Sequence, residues 1–105
     1  MDTNLIKVGE KTYPVKYGFN ALRLFCNASG IGLQELEKIG ENISIDHAIN
    51  LVWAGMKDGA RAEKQDFDLD TDDIADLLDE DMSIIQQCME LFVVSFVKPG
   101  AEEKK

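Results

Sequence analysis

A run of acidic residues in the second half of the chain has the spacing of a calcium-binding loop. If Asp68 is taken as position 1, aspartates also occupy positions 3, 5, 9 and 12, which are Asp70, Asp72, Asp76 and Asp79. Such a loop needs a glycine at position 6 for its sharp turn and a bidentate glutamate at position 12. Here position 6 is Asp73, and position 12 is the shorter aspartate. We therefore favour a helix that Thr71 caps and that presents a solvated acidic face, and we expect no metal site.

The other residues that could bind a metal or carry catalysis stand alone. His47 is the only histidine, and neither cysteine lies at ligand spacing from it. Cys26 and Cys88 fall within apolar helical patterns, where a free cysteine behaves as a small hydrophobe. We expect both thiols to be unpaired and slow to react. No nucleophile, base and orienting group can be nominated together, so we expect no enzymatic activity and no cofactor.

The composition is that of one small acidic domain. The chain has 105 residues, of which 45% are apolar, and a net charge of -9. Residues 61–105 hold 13 acidic and 5 basic residues, against 7 acidic and 6 basic in residues 1–60. Such a surface repels phosphate groups, so we expect neither nucleic acid nor a membrane surface as a partner. No apolar run approaches the ~20 residues of a membrane span, and reduced cysteines fit the cytoplasm.

The clearest predicted helix runs from Ser44 to about Arg61. Its apolar residues recur at helical spacing and are Ile45, Ala48, Ile49, Val52, Trp53, Met56 and Ala60. Ser44 is a good N-cap, and the helix could fray after Gly55 or Gly59. Burial of the large indole of Trp53 favours this face as the surface on which other elements pack.

The first 16 residues predict a β-hairpin. Apolar residues alternate with other residues on both sides of Gly9-Glu10, which suits a two-residue turn. This turn pairs Val8 with Lys11 and places Ile6 opposite Tyr13. A lone hairpin is marginally stable in water, so its apolar face must rest on a helix.

The remaining periodic segments predict further helices. They run from about Phe19 to Ser29, from Leu33 to Ile39, from Thr71 through Leu78, and from Met82 to Val97. We therefore predict a mainly α (α+β) fold, with about five helices and the N-terminal hairpin in a single domain over residues 1–97. Residues 98–105 have nothing to bury and should form a disordered C-terminal tail.

The last predicted helix carries more apolar residues than one face can hold. One regular stripe, which the Trp53 helix can bury, consists of Ile85, Cys88, Phe92 and Phe96. We interpret a second set as a partner-binding surface, and it consists of Ile84, Met89, Leu91, Val93, Val94 and Val97. The alternative is that the hairpin and the first helix cover both sets.

Four segments carry a family resemblance through their order and spacing. They are YGFNALRLF at 17–25, GIGLQEL at 30–36, LVWAGM at 51–56 and TDDIADLLD at 71–79. Together with the N-terminal hairpin, they resemble the tail assembly chaperones of long-tailed bacteriophages and prophages. The resemblance covers most of residues 5–97.

The resemblance implies a non-enzymatic protein of the host bacterium's cytoplasm that is absent from the mature virion. Such chaperones bind the long, helical tape measure protein, keep its apolar stretches soluble and help to recruit tail tube subunits. The family supplies no catalytic or ligand residue, and self-association into a homo-oligomer stays open. The alternative is an acidic interaction module, such as an anti-repressor or a DNA-mimicking inhibitor, that offers its Asp66 to Asp81 face to a basic protein.

Overall fold

The computed structural model describes residues 3–36 and 43–97, and it has a β-hairpin followed by helices. The strands are β1 (Asn4–Val8) and β2 (Lys11–Val15), and the α-helices are α1 (Phe19–Ser29), α2 (Ile45–Ala62), α3 (Thr71–Glu80) and α4 (Ser83–Phe92). A 3-10 turn, Leu33–Glu35, follows α1, and a π-helical turn, Val93–Val97, extends α4. The predicted mostly helical domain with an N-terminal hairpin is confirmed.

The number of α-helices in the described residues is four, where about five were predicted. The predicted helix from Leu33 to Ile39 begins as the 3-10 turn, and residues 37–42 lie outside the described part of the chain. The predicted tail, residues 98–105, lies outside it as well.

The hairpin has the predicted register, in which Val8 pairs with Lys11 and Ile6 with Tyr13. Gly9 has a φ angle of +63°, the left-handed conformation that a two-residue hairpin turn requires at its first central position. Its buried side chains are Ile6, Val8, Pro14 and Val15. Strand β2 packs against α2, so the hairpin does rest on a helix.

Helix α2 is continuous, so the predicted fraying after Gly55 or Gly59 is wrong. The carbonyl oxygen of Gly55 accepts a hydrogen bond from the backbone N–H of Lys16 at 3.0 Å. A Cβ at Gly59 would overlap the backbone of Pro14, and one at Gly55 would overlap the ring of Tyr17. The two glycines therefore let β2 and the residues after it lie directly on the helix, and this packing compensates for their poor helix propensity.

Three aromatic rings from different elements meet in the core. The ring centre of Phe92 lies 5.9 Å from that of Tyr17 and 6.0 Å from that of Phe25, both with edge-on geometry. The Tyr17 hydroxyl donates a hydrogen bond to the carbonyl oxygen of Leu51 at 2.8 Å, which satisfies this buried polar group. Trp53, which the sequence placed at the centre of the packing face, is only half-buried.

Two aspartates of the acidic run, Asp70 and Asp73, cap the N-terminus of α3. Asp70, rather than Thr71, is the N-cap: its Oδ1 accepts from the Asp73 backbone N–H at 2.9 Å. In return, Asp73 Oδ2 accepts from the Asp70 backbone N–H at 3.0 Å, which completes a capping box. Within the described ranges, no group of three or more histidine, cysteine or acidic side chains is arranged to hold a metal ion.

The two free cysteines differ in burial, and this difference predicts their reactivity. Burial raises the pKa of the Cys88 thiol to about 11, whereas Cys26 is half-buried and its pKa is raised by burial and by the charge of Glu35. We expect a thiol reagent to modify Cys26 first and Cys88 only when the domain opens. In a Cys26→Ser variant, reaction of the remaining thiol should accelerate with denaturant. Rapid modification of native Cys88 would contradict its placement in the core.

Candidate partner-binding cleft

The buried face of α4 begins with Ile84, whereas the predicted buried stripe began with Ile85. Ile84, Cys88 and Phe92 are fully buried, whereas Ile85 is half-buried. The assignment of Ile84 to an outward partner-binding surface is therefore wrong. Ile84 points inward because α4 packs at once against α2, α3 and β1, and this arrangement rotates the helix about its axis relative to the predicted stripe.

The other predicted partner-binding residues are spread around the outer side of α4 and the turn that extends it. Met89, Leu91 and Val93 are half-buried, and Val94 is exposed. The side chain of Val97 lies outside the described part of the structure. Strand β1 contacts α4, so the hairpin covers part of this helix, whereas the alternative prediction was that the hairpin and the first helix cover both sets.

An apolar cleft opens beside the start of α4, between the start of α2 and the end of α3. Its volume is about 370 Å³. Its apolar lining comes from Ile43, Ile45, Ala48, Ile49, Ala75, Leu78, Met82 and Ile85. Ser44 and Asp79 complete the lining. The cleft therefore offers a mostly hydrophobic surface with one carboxylate at its edge.

Two large apolar side chains at this cleft are exposed to water: Ile45 at 79% and Met82 at 73%. Each lies at the start of a helix, where a local hydrogen bond fixes the backbone. Ser44 Oγ accepts from the His47 backbone N–H at 3.1 Å, which caps α2 just before Ile45. Ile45 was predicted as part of the buried stripe, and that assignment is wrong, because no element in residues 3–36 and 43–97 packs over the first residue of α2.

The turn into α4 is fixed in a similar way. Asp81 Oδ1 accepts hydrogen bonds from the backbone N–H of Ser83 at 3.0 Å and from its hydroxyl at 2.6 Å. These bonds lower the pKa of the Asp81 carboxyl, because they stabilise its ionised form. Met82 lies between the two bonded residues, so its backbone is held while its side chain stays at the surface.

The surroundings of the cleft are acidic. Asp79 lines the cleft itself, and Asp46 and Asp72 line an adjoining groove between α1, α2 and α3. Asp76 and Glu80 are exposed on the outer side of α3. An apolar floor beside these carboxylates favours a ligand that is apolar at its centre and carries lysine or arginine at its ends.

The described residues that line the cleft include no set of groups that could carry out covalent chemistry. The Ser44 hydroxyl is engaged in the helix cap, and Asp79 is the titratable residue among the described residues that line the cleft. His47 is half-buried with its ring centre 6.3 Å from that of Phe25, and it does not line the cleft. The arrangement is suited to binding an apolar segment of another molecule.

Comparison with known proteins finds no matching family model, no matching curated protein and no matching solved structure. Among the helices described, none is both long enough and apolar enough to cross a membrane. The observations that bear on function are therefore the cleft, the charge distribution and the sequence segments themselves.

Proposed function

We propose that the chain is a non-enzymatic tail assembly chaperone of a long-tailed phage or prophage. In this role it acts in the cytoplasm of the host bacterium, binds apolar stretches of the tape measure protein and supports assembly of the tail tube. The single observation that carries the proposal is the apolar cleft with Ile45 and Met82 exposed beside it. The segments that resemble the family lie in α1, α2 and α3 and in the turn after α1.

The cleft has the properties needed to hold an amphipathic helix. A partner helix places apolar side chains at i, i+3, i+4 and i+7 along one face, and these can enter a hydrophobic groove. Covering a side chain such as Ile45 or Met82 contributes about 1.5–3 kcal/mol when burial is complete. The carboxylates around the cleft would attract a partner with basic ends and speed its approach. A client that is helical, apolar and locally basic therefore fits the surface.

The proposal is tested by co-expressing the chain with the tape measure protein encoded in the same phage or prophage genome. We expect wild type to keep the client soluble and to co-purify with it. An Ile45→Lys/Met82→Lys variant should keep the wild-type melting temperature, because both side chains are exposed, and should lose most of the co-purified client.

The matched control is Asn4→Lys/Leu5→Lys, which adds the same two positive charges at exposed residues of the hairpin, one of them apolar. This control should retain the client. Equal recovery of client by wild type and the cleft variant would contradict the assignment of the cleft as the binding site. Failure of the wild-type chain to bind the client would reject the chaperone function itself.

A second candidate function is an acidic interaction module that binds a basic protein. The observation that favours it is the row of exposed carboxylates on α3, which consists of Asp72, Asp76, Asp79 and Glu80. This function predicts that an Asp76→Lys/Glu80→Lys variant loses the partner while the cleft variant keeps it. The chaperone proposal predicts that the cleft variant has the larger loss.

A further inference from the structure

More than half of the basic residues in the described part of the chain lie at the end of the domain formed by the start of α1 and the end of α2. Of the seven lysines and arginines in residues 3–36 and 43–97, four line two adjoining grooves of about 450 and 390 Å³. These four are Lys16, Arg23, Lys57 and Arg61, and we call this surface the basic grooves. The proposed chaperone function does not use them.

Two carboxylates, those of Asp58 and Asp66, also line the basic grooves, and they offset only part of the positive charge of the four basic residues. Asp58 is fully buried and accepts hydrogen bonds from the backbone N–H groups of Gly18 at 3.4 Å and Ala21 at 3.3 Å. Its other oxygen accepts from Arg61, whose side chain is still 57% exposed. Asp66 is exposed and lines one groove. The outward charge of the basic grooves is therefore positive.

An exposed aromatic ring lies beside these charges. Phe19, the first residue of α1, is 81% exposed and lines the groove that also contains Lys16 and Arg23. An exposed phenyl ring surrounded by basic groups is suited to a partner that presents both carboxylates and apolar atoms. An acidic amphipathic helix has this combination.

The chain itself contains such a helix. Helix α3 has five acidic residues and no basic one, and its exposed carboxylates at 72, 76, 79 and 80 follow the i, i+4, i+7, i+8 spacing of one helix face. Leu77 is half-buried and lies on the same helix. The outer face of α3 and the basic grooves thus carry opposite charges.

The two complementary surfaces lie at opposite ends of α2 and cannot meet within one molecule. Asp72 of α3 lines a groove with Ser29 and Asp46, at the end of α1 and the start of α2. Arg61 lies near the other end of α2, about 22 Å away at 1.5 Å per helical residue. The acidic face of one copy can therefore reach only the basic grooves of another copy.

We propose that the basic grooves receive the acidic face of α3 from a second copy of the chain, in a head-to-tail contact. The contact uses different surfaces on the two copies, so each pair leaves one acidic face and one set of basic grooves to bind further copies. The net charge of -9 opposes association at long range. At physiological ionic strength the screening length is about 8 Å, so the charges in direct contact dominate. This inference does not rest on the proposed chaperone function.

A charge-swap experiment tests the contact. One variant, Lys16→Glu/Arg23→Glu, reverses the grooves, and another, Asp76→Lys/Glu80→Lys, reverses the helix. Sedimentation velocity should show wild type associating with rising concentration, and each variant alone should associate about tenfold more weakly or not at all. An equimolar mixture should regain association, because each reversed surface then meets an opposite charge on the other variant.

The matched control is Lys7→Glu/Lys11→Glu, which makes the same change in net charge on the hairpin and should associate like wild type. Raising the ionic strength to about 1 M should disperse the wild-type assembly, because the screening length falls to about 3 Å.

A wild type that stays monomeric, or a folded mixture that does not associate, would overturn the proposal. If circular dichroism shows that the groove variant is unfolded, Lys16→Gln/Arg23→Gln replaces it, and association equal to wild type would then overturn the proposal.

Discussion

Replacing Gly59 with alanine is expected to lower the free energy of unfolding by about 3 kcal/mol. The added Cβ would overlap backbone atoms of Pro14 and Val15, which cannot rotate out of the way as a side chain can. Strand β2 would have to move off α2. Helix propensity alone predicts the opposite sign, since alanine is favoured over glycine inside a helix by about 1 kcal/mol. The sign of the change therefore tests the close packing of the hairpin on the helix.

Urea unfolding followed by circular dichroism measures this effect. The control is Gly32→Ala, because a Cβ there has no atom within 4 Å and the change should stay within about 0.5 kcal/mol. Gly55→Ala should give an intermediate loss, since the overlapping group is the side chain of Tyr17. A Gly59→Ala variant more stable than wild type would show that β2 does not lie on α2 as described.

Replacing Asp58 with alanine is expected to lower the free energy of unfolding by about 2–3 kcal/mol. Helix α1 has no side-chain cap of its own, because its N-cap residue is Gly18. Asp58, which belongs to α2, supplies the missing acceptor to the backbone N–H groups of Gly18 and Ala21. Alanine would leave these two donors without that partner, and the Ala21 donor is fully buried.

Two variants separate the capping role of Asp58 from its ion pair. Asp58→Asn retains an acceptor oxygen and loses the charge, so it should cost less than alanine. Arg61→Ala removes the partner whose side chain is half exposed, and such pairs contribute about 1 kcal/mol or less. If Asp58→Ala costs no more than Arg61→Ala, Asp58 is not an important cap of α1.

Local features of the fold could be predicted from the sequence because their causes are local. The Gly9-Glu10 turn and the period-2 pattern set the register of the hairpin within a few residues. The helical period of α1 and α2 likewise fixes their bounds. A regular alternation or recurrence of apolar residues therefore predicts the register of a hairpin or the bounds of a helix without knowledge of the rest of the fold.

Features that depend on packing between distant elements could not be predicted in the same way. Ile84 and Ile85 are 100° apart on α4, and which of them faces inward depends on how the helix packs against α2, α3 and β1. The sequence also gives no sign that Asp58 caps a helix about 40 residues earlier.

The two surfaces that we propose for binding could not be predicted from the sequence for the same reason. Ile45 fits the apolar stripe of α2, and only the tertiary structure shows that its side chain is 79% exposed at the start of that helix. The basic grooves combine residues from the β2–α1 connection, α1 and the end of α2, so no motif in the sequence marks them.

The most direct test of partner binding is an NMR titration of the isotope-labelled chain with apolar helical peptides from the tape measure protein of the same genome. We expect amide shifts to concentrate at Ile45, Ala48, Leu78 and Met82, around the cleft, and to vanish in the Ile45→Lys/Met82→Lys variant. Wild-type-like binding by that variant, or shifts that avoid the cleft, would contradict the assignment of the cleft as the client site.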